Sequence, residues 1–125
     1  MNGRRILVVD DDKDVVQFLV GLLRKAGYTV LIAMDAAQAV MQAQRERPDL
    51  ILTDILMPAG GGFSVLERLA QSTKTMTIPV IVLSGSDQPD LEARALAAGV
   101  TRILRKPCDN AVLLEAIRTA VEEGR

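Results

Sequence analysis

The chain has 125 residues, is 49% hydrophobic and 25% charged, and carries a formal net charge of −1. That length fits one domain with a single sizeable core, and the balanced charge excludes a broad electrostatic footprint for nucleic acid or an anionic membrane. The absence of His excludes imidazole metal sites and imidazole bases, a single Cys excludes an internal disulfide, and no Trp, two Phe and one Tyr leave little for stacking on bases.

No apolar run comes near the roughly 20 residues that cross a bilayer. The opening Met1–Arg5 leads into acids rather than an apolar core, so it is no secretory signal. The lone Cys108 suits a reducing compartment, and a cytoplasmic location is expected.

In chain order, Ile6–Val9 is a short buried strand running into Asp10, Asp11 and Asp12. From Asp14 the spacing turns helical, with Val15, Phe18, Leu19, Leu22 and Leu23 expected on one face and Gly27 stopping the helix. Thr29–Ala33 is a second strand. Asp35 and Gln38 suggest a capping box for a helix that turns Ala36, Val40 and Ala43 inward. Pro48 ends that helix, and Leu50–Thr53 run without a polar break beyond Thr53 into Asp54, with Pro58 closing the segment. An uninterrupted run of this kind reads as a strand buried on both faces.

Residues 58–62 read as a loop, followed by a helix with Phe63, Leu66, Leu69 and Ala70 inward. Ser72–Ile78 is polar and reads as a loop. Pro79–Leu83 is a fourth strand ending at Ser84–Gly85, and a weaker helix from about Pro89 to Ala98 stops at Gly99. Thr101–Arg105 is a fifth strand ending at Lys106–Pro107. Asp109 then caps a last helix with Leu113, Ala116, Ile117 and Ala120 on one side.

Five strand–helix units with apolar strands call for an α/β fold, a parallel sheet covered by helices on both faces. Right-handed crossovers make it doubly wound, and ligands in such sheets bind beyond the carboxyl ends of the strands. Those ends carry Asp10–Asp11, Asp54, Ser84 and Lys106, while the second strand ends without chemistry at Ala33–Met34.

Three carboxylates at one rim repel one another. A hard divalent cation relieves the conflict, and oxygen ligands with water suit Mg²⁺. Lys106 adds a point charge and Ser84 a hydroxyl donor, so the set can receive phosphoryl oxygens. Without a His, and with no better-placed Cys or Lys, a carboxylate is the expected nucleophile and an acyl phosphate the product. Asp54 is the best candidate because it stands alone on its strand while Asp10 and Asp11 can hold the metal.

With these residues in order, the chain resembles the receiver domains of two-component response regulators, over essentially its whole length. The resemblance rests on Val8–Val9–Asp10–Asp11–Asp12, on Asp54 with Met57–Pro58, on Ser84–Gly85 and on Lys106–Pro107. It implies a flavodoxin-like strand order of 2-1-3-4-5. It makes Asp54 the phosphoacceptor, loaded from a histidine kinase or a phosphotransfer protein. Asp11 would bind Mg²⁺ directly, Asp10 through water, and the Leu56 backbone carbonyl would be a further ligand. Ser84 would hydrogen-bond the phosphoryl group and Lys106 would neutralise it. A cis bond between Lys106 and Pro107 is also implied. A downstream protein or output domain would read the change, with the chain a monomer or weak dimer, without direct nucleic-acid contact or membrane insertion. Such a chain is either a stand-alone receiver or a domain of a longer regulator or hybrid kinase.

Three positions depart from the family pattern. Ile103 stands where an aromatic switch residue is usual, Gly60–Gly61–Gly62 replace a more charged loop, and Cys108 replaces the usual Phe. None touches the phosphoryl chemistry; all bear on output. Leu56 and Ser86 flank the expected route of water to the phosphoryl group, and an apolar Leu56 cannot orient that water, so a long-lived acyl phosphate is expected.

Plainer roles exist for each residue. The acids after the first strand could serve only the helix dipole, which explains Asp12 and Asp14 but not three acids behind a buried strand. A Walker-type site is excluded by the lack of a Gly-rich phosphate loop. An aspartyl-phosphate phosphatase would want a second Asp where Leu56 stands. A pseudo-receiver that only binds partners is the remaining alternative, and Cys108 reads as packing rather than a redox sensor.

Overall fold

The computed structural model describes residues 3–54, 61–85 and 89–123. Ten elements alternate: β1 (Arg5–Val9), α1 (Lys13–Lys25), β2 (Thr29–Ala33), α2 (Ala36–Glu46), β3 (Leu50–Asp54), α3 (Gly61–Gln71), β4 (Val80–Ser84), α4 (Pro89–Ala97), β5 (Arg102–Arg105) and α5 (Asn110–Glu123). The five strands form one sheet in the order β2-β1-β3-β4-β5, and every neighbouring pair is parallel. The sheet is doubly wound as the alternation of elements indicates, in the order that the family resemblance implied, and the order reverses between β1 and β3.

Side chains alternate across a strand, and the alternation divides the core in two. Ile6, Val8, Leu50, Leu52, Ile81, Leu83 and Leu104 pack under α1 and α5, through Leu19, Leu23, Leu113, Ile117 and their neighbours. Leu7, Val9, Ile51, Val80 and Val82 pack on the other face, against Ala39 and Ala43 of α2, Val65, Leu66 and Leu69 of α3, and Ala95 of α4. The central strands β1, β3 and β4 are apolar along most of their length because both of their faces are covered, whereas the edge strands β2 and β5 keep exposed positions.

Local signals set the boundaries. Asp12 caps α1, its carboxylate accepting from the Asp14 and Val15 amides. The helix ends at Ala26, and Gly27 takes a positive φ of 98° beyond it. Asp35 Oδ1 accepts from the Gln38 amide at 2.8 Å. The return arm of that box goes one residue further back, because Gln38 Oε1 accepts from the Met34 amide at 3.2 Å.

Some expectations are corrected. Phe18 is 56% exposed, because the buried stripe of α1 runs through Val16, Leu19 and Leu23 and Phe18 falls nearly opposite Val16 on a 3.6-residue turn. Arg47 in the left-handed region (φ 45°) closes α2, before Pro48. Helix α3 begins at Gly61, inside the stretch expected as loop. Ala70 is exposed, and Val65 joins Leu66 and Leu69 in the buried stripe instead.

Candidate functional site

The candidate residues assemble where the strand order reverses. In register, Val9 stands between Ala33 of β2 and Thr53 of β3. Asp10 follows, and its amide donates to the Ala33 carbonyl at 3.1 Å, which carries the ladder one residue further and leaves Asp10 2% exposed. Alternation then fixes the faces. Asp10 keeps the parity of Ile6 and Val8, Asp54 that of Leu50 and Leu52, and Lys106 that of Leu104, so all three belong to the α1/α5 face. Ser84 keeps the parity of Val80 and Val82, on the opposite face, and is 2% exposed at the end of β4.

Lys106 is held from both ends. Its amide donates to the Ser84 carbonyl at 2.8 Å. Its ammonium lies 3.6 Å from Asp54 Oδ2 and 3.7 Å from Asp10 Oδ2. The Lys106–Pro107 peptide is cis, as the resemblance implied. Asp10, Asp11 and Asp54 each present a carboxylate oxygen within 4.8 Å of the others, with Asp10 buried, Asp54 half-buried and Asp11 exposed. Leu56, Met57, Pro58 and Ser86 lie outside the described residues.

The electrostatics centre on Asp10. Burial raises its carboxyl above the ordinary carboxylate value. The Asp12 amide, which donates to Asp10 Oδ1 at 3.0 Å, and the Lys106 ammonium pull it back down, while the Asp54 and Asp11 charges push it up again. Three hard oxygen donors with excess negative charge are a donor set suited to a small divalent cation. Two features went unseen in the sequence. One is that Lys106 spans Asp10 as well as Asp54, for which strand parity was the available signal. The other is an open cavity beside Phe18, hidden by the misassigned face of α1.

Residues 6–118 match the family model of the response regulator receiver domain. The chain belongs to that family. Proteins similar in sequence include protein PilH of Pseudomonas aeruginosa, 35% identical over 117 residues that cover 94% of this chain and 97% of PilH. Response regulator PleD of Caulobacter vibrioides is 36% identical over 115 residues, 92% of this chain but 25% of PleD. This receiver thus spans nearly all of one relative and a quarter of another. Among solved structures, the receiver domain of sensor histidine kinase PA1611 from Pseudomonas aeruginosa PAO1 superposes with a TM-score of 0.89 at 29% identity, covering 97% of this chain and 99% of that one. In that crystal structure a magnesium ion is coordinated in the active site cleft. No helix among the described residues is long and apolar enough to cross a membrane.

Proposed function

We propose that this receiver domain accepts a phosphoryl group on Asp54 in a Mg²⁺-dependent reaction and changes partner binding as a result. One observation carries the reading: Asp54 ends the central strand with the Lys106 ammonium at 3.6 Å and two further carboxylates close by. Asp10, Asp11, Asp54 and the Leu56 carbonyl would hold the ion, which when bound supplies positive charge against phosphoryl oxygens. The magnesium of the PA1611 receiver supports this assignment.

The chain's own groups do the rest. An Asp54 oxygen attacks phosphorus in line, forming an O–P bond as the bond to the donor's imidazole nitrogen breaks. The departing imidazole keeps the electron pair of that bond. Lys106 meets the charge on the incoming phosphoryl oxygens, and Ser84 donates a hydrogen bond to one of them. Each phosphoryl group modifies one chain, so the domain is a phosphoacceptor and not a turnover enzyme. Its donor is a histidine kinase or phosphotransfer protein, and its reader a downstream protein or output domain, in the cytoplasm.

Borohydride reduction after treatment with acetyl phosphate tests the acceptor, because an acyl phosphate on Asp is converted to homoserine. Peptide mass spectrometry is expected to place homoserine at position 54, only with Mg²⁺ present. Homoserine elsewhere overturns the assignment, and none anywhere turns the reading to a pseudo-receiver. Leu56→Asn or Leu56→Glu is expected to shorten the lifetime of the acyl phosphate by giving water a polar guide, and an unchanged lifetime would contradict that role.

A further inference from the structure

The two edges of the sheet are protected unequally. β5 begins and ends with exposed arginines, Arg102 and Arg105, and charges of that kind keep an edge from pairing with another chain. β2 reads Thr29–Val30–Leu31–Ile32–Ala33, with no charge, Pro or Gly. Its composition suits an interior strand, yet β1 is its one neighbour in the sheet. Ile32 is 38% exposed.

Two hydrogen bonds fix the direction of the backbone groups of β2. The Thr29 amide donates to the Arg4 carbonyl, and the Ala33 carbonyl accepts from the Asp10 amide. Bonding groups alternate along a strand, so Thr29, Leu31 and Ala33 face β1, while Val30 and Ile32 turn their amides and carbonyls outward. The flanking amides are already used: that of Tyr28 donates to the Leu23 carbonyl, and that of Met34 to Gln38 Oε1. The open stretch is therefore centred on Leu31.

Charge decides what fits this edge. Because the strands are parallel, their acidic ends gather at one side of the sheet. Beside the end of β2 stand Asp35 and, after β1, Asp11, both exposed. Lys13 is outnumbered there by Asp11, Asp12 and Asp14. Beside the start of β2 stand Arg24 and Lys25, in the last turn of α1. Both are exposed, and neither has an acidic partner among the described residues. A second copy added antiparallel sets the basic end of each chain against the acidic end of the other. A parallel copy would set like charges together.

We propose that two copies of this chain pair through β2, antiparallel about a two-fold axis at Leu31. Val30 of each copy exchanges amide and carbonyl bonds with Ile32 of the other, Leu31 lies opposite Leu31, and two five-stranded sheets become one. A single short strand buries little area, so the association is weak. The pairing uses neither Asp54 nor the metal cluster, so it stands apart from the function proposed above.

Sedimentation equilibrium in EDTA, over micromolar to millimolar concentrations, is expected to carry the mass from one chain toward two, less so as salt rises. Over the same range the Val30 and Ile32 amides should gain protection from hydrogen exchange by NMR. A mixture of labelled and unlabelled chains should show a close contact between Leu31 α-protons of different copies, as an antiparallel pair brings them together. These readouts need no variant. Ile32→Lys, a charge that edge strands tolerate, and the double variant Arg24→Glu/Lys25→Glu should each weaken association several-fold, with dilute samples melting as cooperatively as wild type. A one-chain mass throughout, a dimer without protection of Val30 and Ile32, no contact between Leu31 residues, association unchanged in both variants, or association strengthened by salt would each overturn the proposal.

Discussion

Asp10 is the residue whose environment is least comfortable in the metal-free protein. It is 2% exposed, and burial raises its carboxyl above the ordinary range despite the Asp12 amide and Lys106. A carboxyl raised by folding binds more protons in the native than in the unfolded state, so its contribution to stability is present below the ordinary carboxylate value and is lost as pH rises through the folded value. Asp10→Asn keeps an oxygen for the Asp12 amide and removes the buried charge. Metal-free Asp10→Asn is therefore expected to be more stable than wild type at neutral pH by about 1 kcal/mol, with the difference shrinking as pH falls toward the ordinary carboxylate range. Urea midpoints across that range, with Mg²⁺ chelated, give the result directly; a variant less stable at neutral pH would contradict it. At this scale the sequence was legible where parity governs: Asp10, Asp54 and Lys106 fall on one face because strand side chains alternate. The second contact of Lys106, with Asp10, shares that parity signal, but its 3.7 Å distance also depends on how the strands stand in the sheet.

The elements themselves follow from short-range chemistry. Strands that are apolar throughout announce burial on both faces, and β1, β3 and β4 were read within a residue or two of their ends. The helices show what periodicity settles and what it does not. α5 buries Leu113, Ala116, Ile117 and Ala120 as its spacing indicates. α1 has apolar residues at Val15, Val16, Phe18, Leu19, Val20, Leu22 and Leu23, more than one stripe can hold. Only packing against the sheet selects Val16, Leu19 and Leu23, and Phe18 is left at the surface beside the cavity. Capping is more local and better determined. Asp35 satisfies the Gln38 amide at the start of α2, so Asp35→Ala is expected to cost about 1 kcal/mol and to lower Tm by roughly 4 °C for a domain of this size. Calorimetry checks this, and an unchanged Tm would mean that the cap contributes nothing beyond water.

For the whole molecule, the doubly wound order brings β1 and β3 side by side and β4 and β5 next to them, so residues far apart in the chain meet at one rim. A cation held by the proposed cluster of Asp10, Asp11 and Asp54 would couple that rim to global stability, because a cation that binds only the folded state stabilises it by RT ln(1 + [L]/Kd). Mg²⁺ at about one hundred times its Kd is expected to add roughly 2.7 kcal/mol, read as a rise in Tm that EDTA reverses. Asp11→Ala should lose most of that rise, and a rise undiminished in the variant would place the ion elsewhere. Fold and family were legible because strand ends, turns and acids recur in a fixed order along the chain. The output surface was not, since Ile103 departs from the family pattern and its half-buried packing against the α2/α3/α4 side of the core names no partner.

The central claim is that Asp54 takes the phosphoryl group with Mg²⁺ as cofactor, and intact-protein mass after incubation with acetyl phosphate tests it most directly. Wild type with Mg²⁺ is expected to gain the mass of one phosphoryl group. Wild type with EDTA, and Asp54→Asn with Mg²⁺, are expected to gain none. A gain that survives in Asp54→Asn, or no gain in wild type to which Mg²⁺ demonstrably binds, would contradict the account.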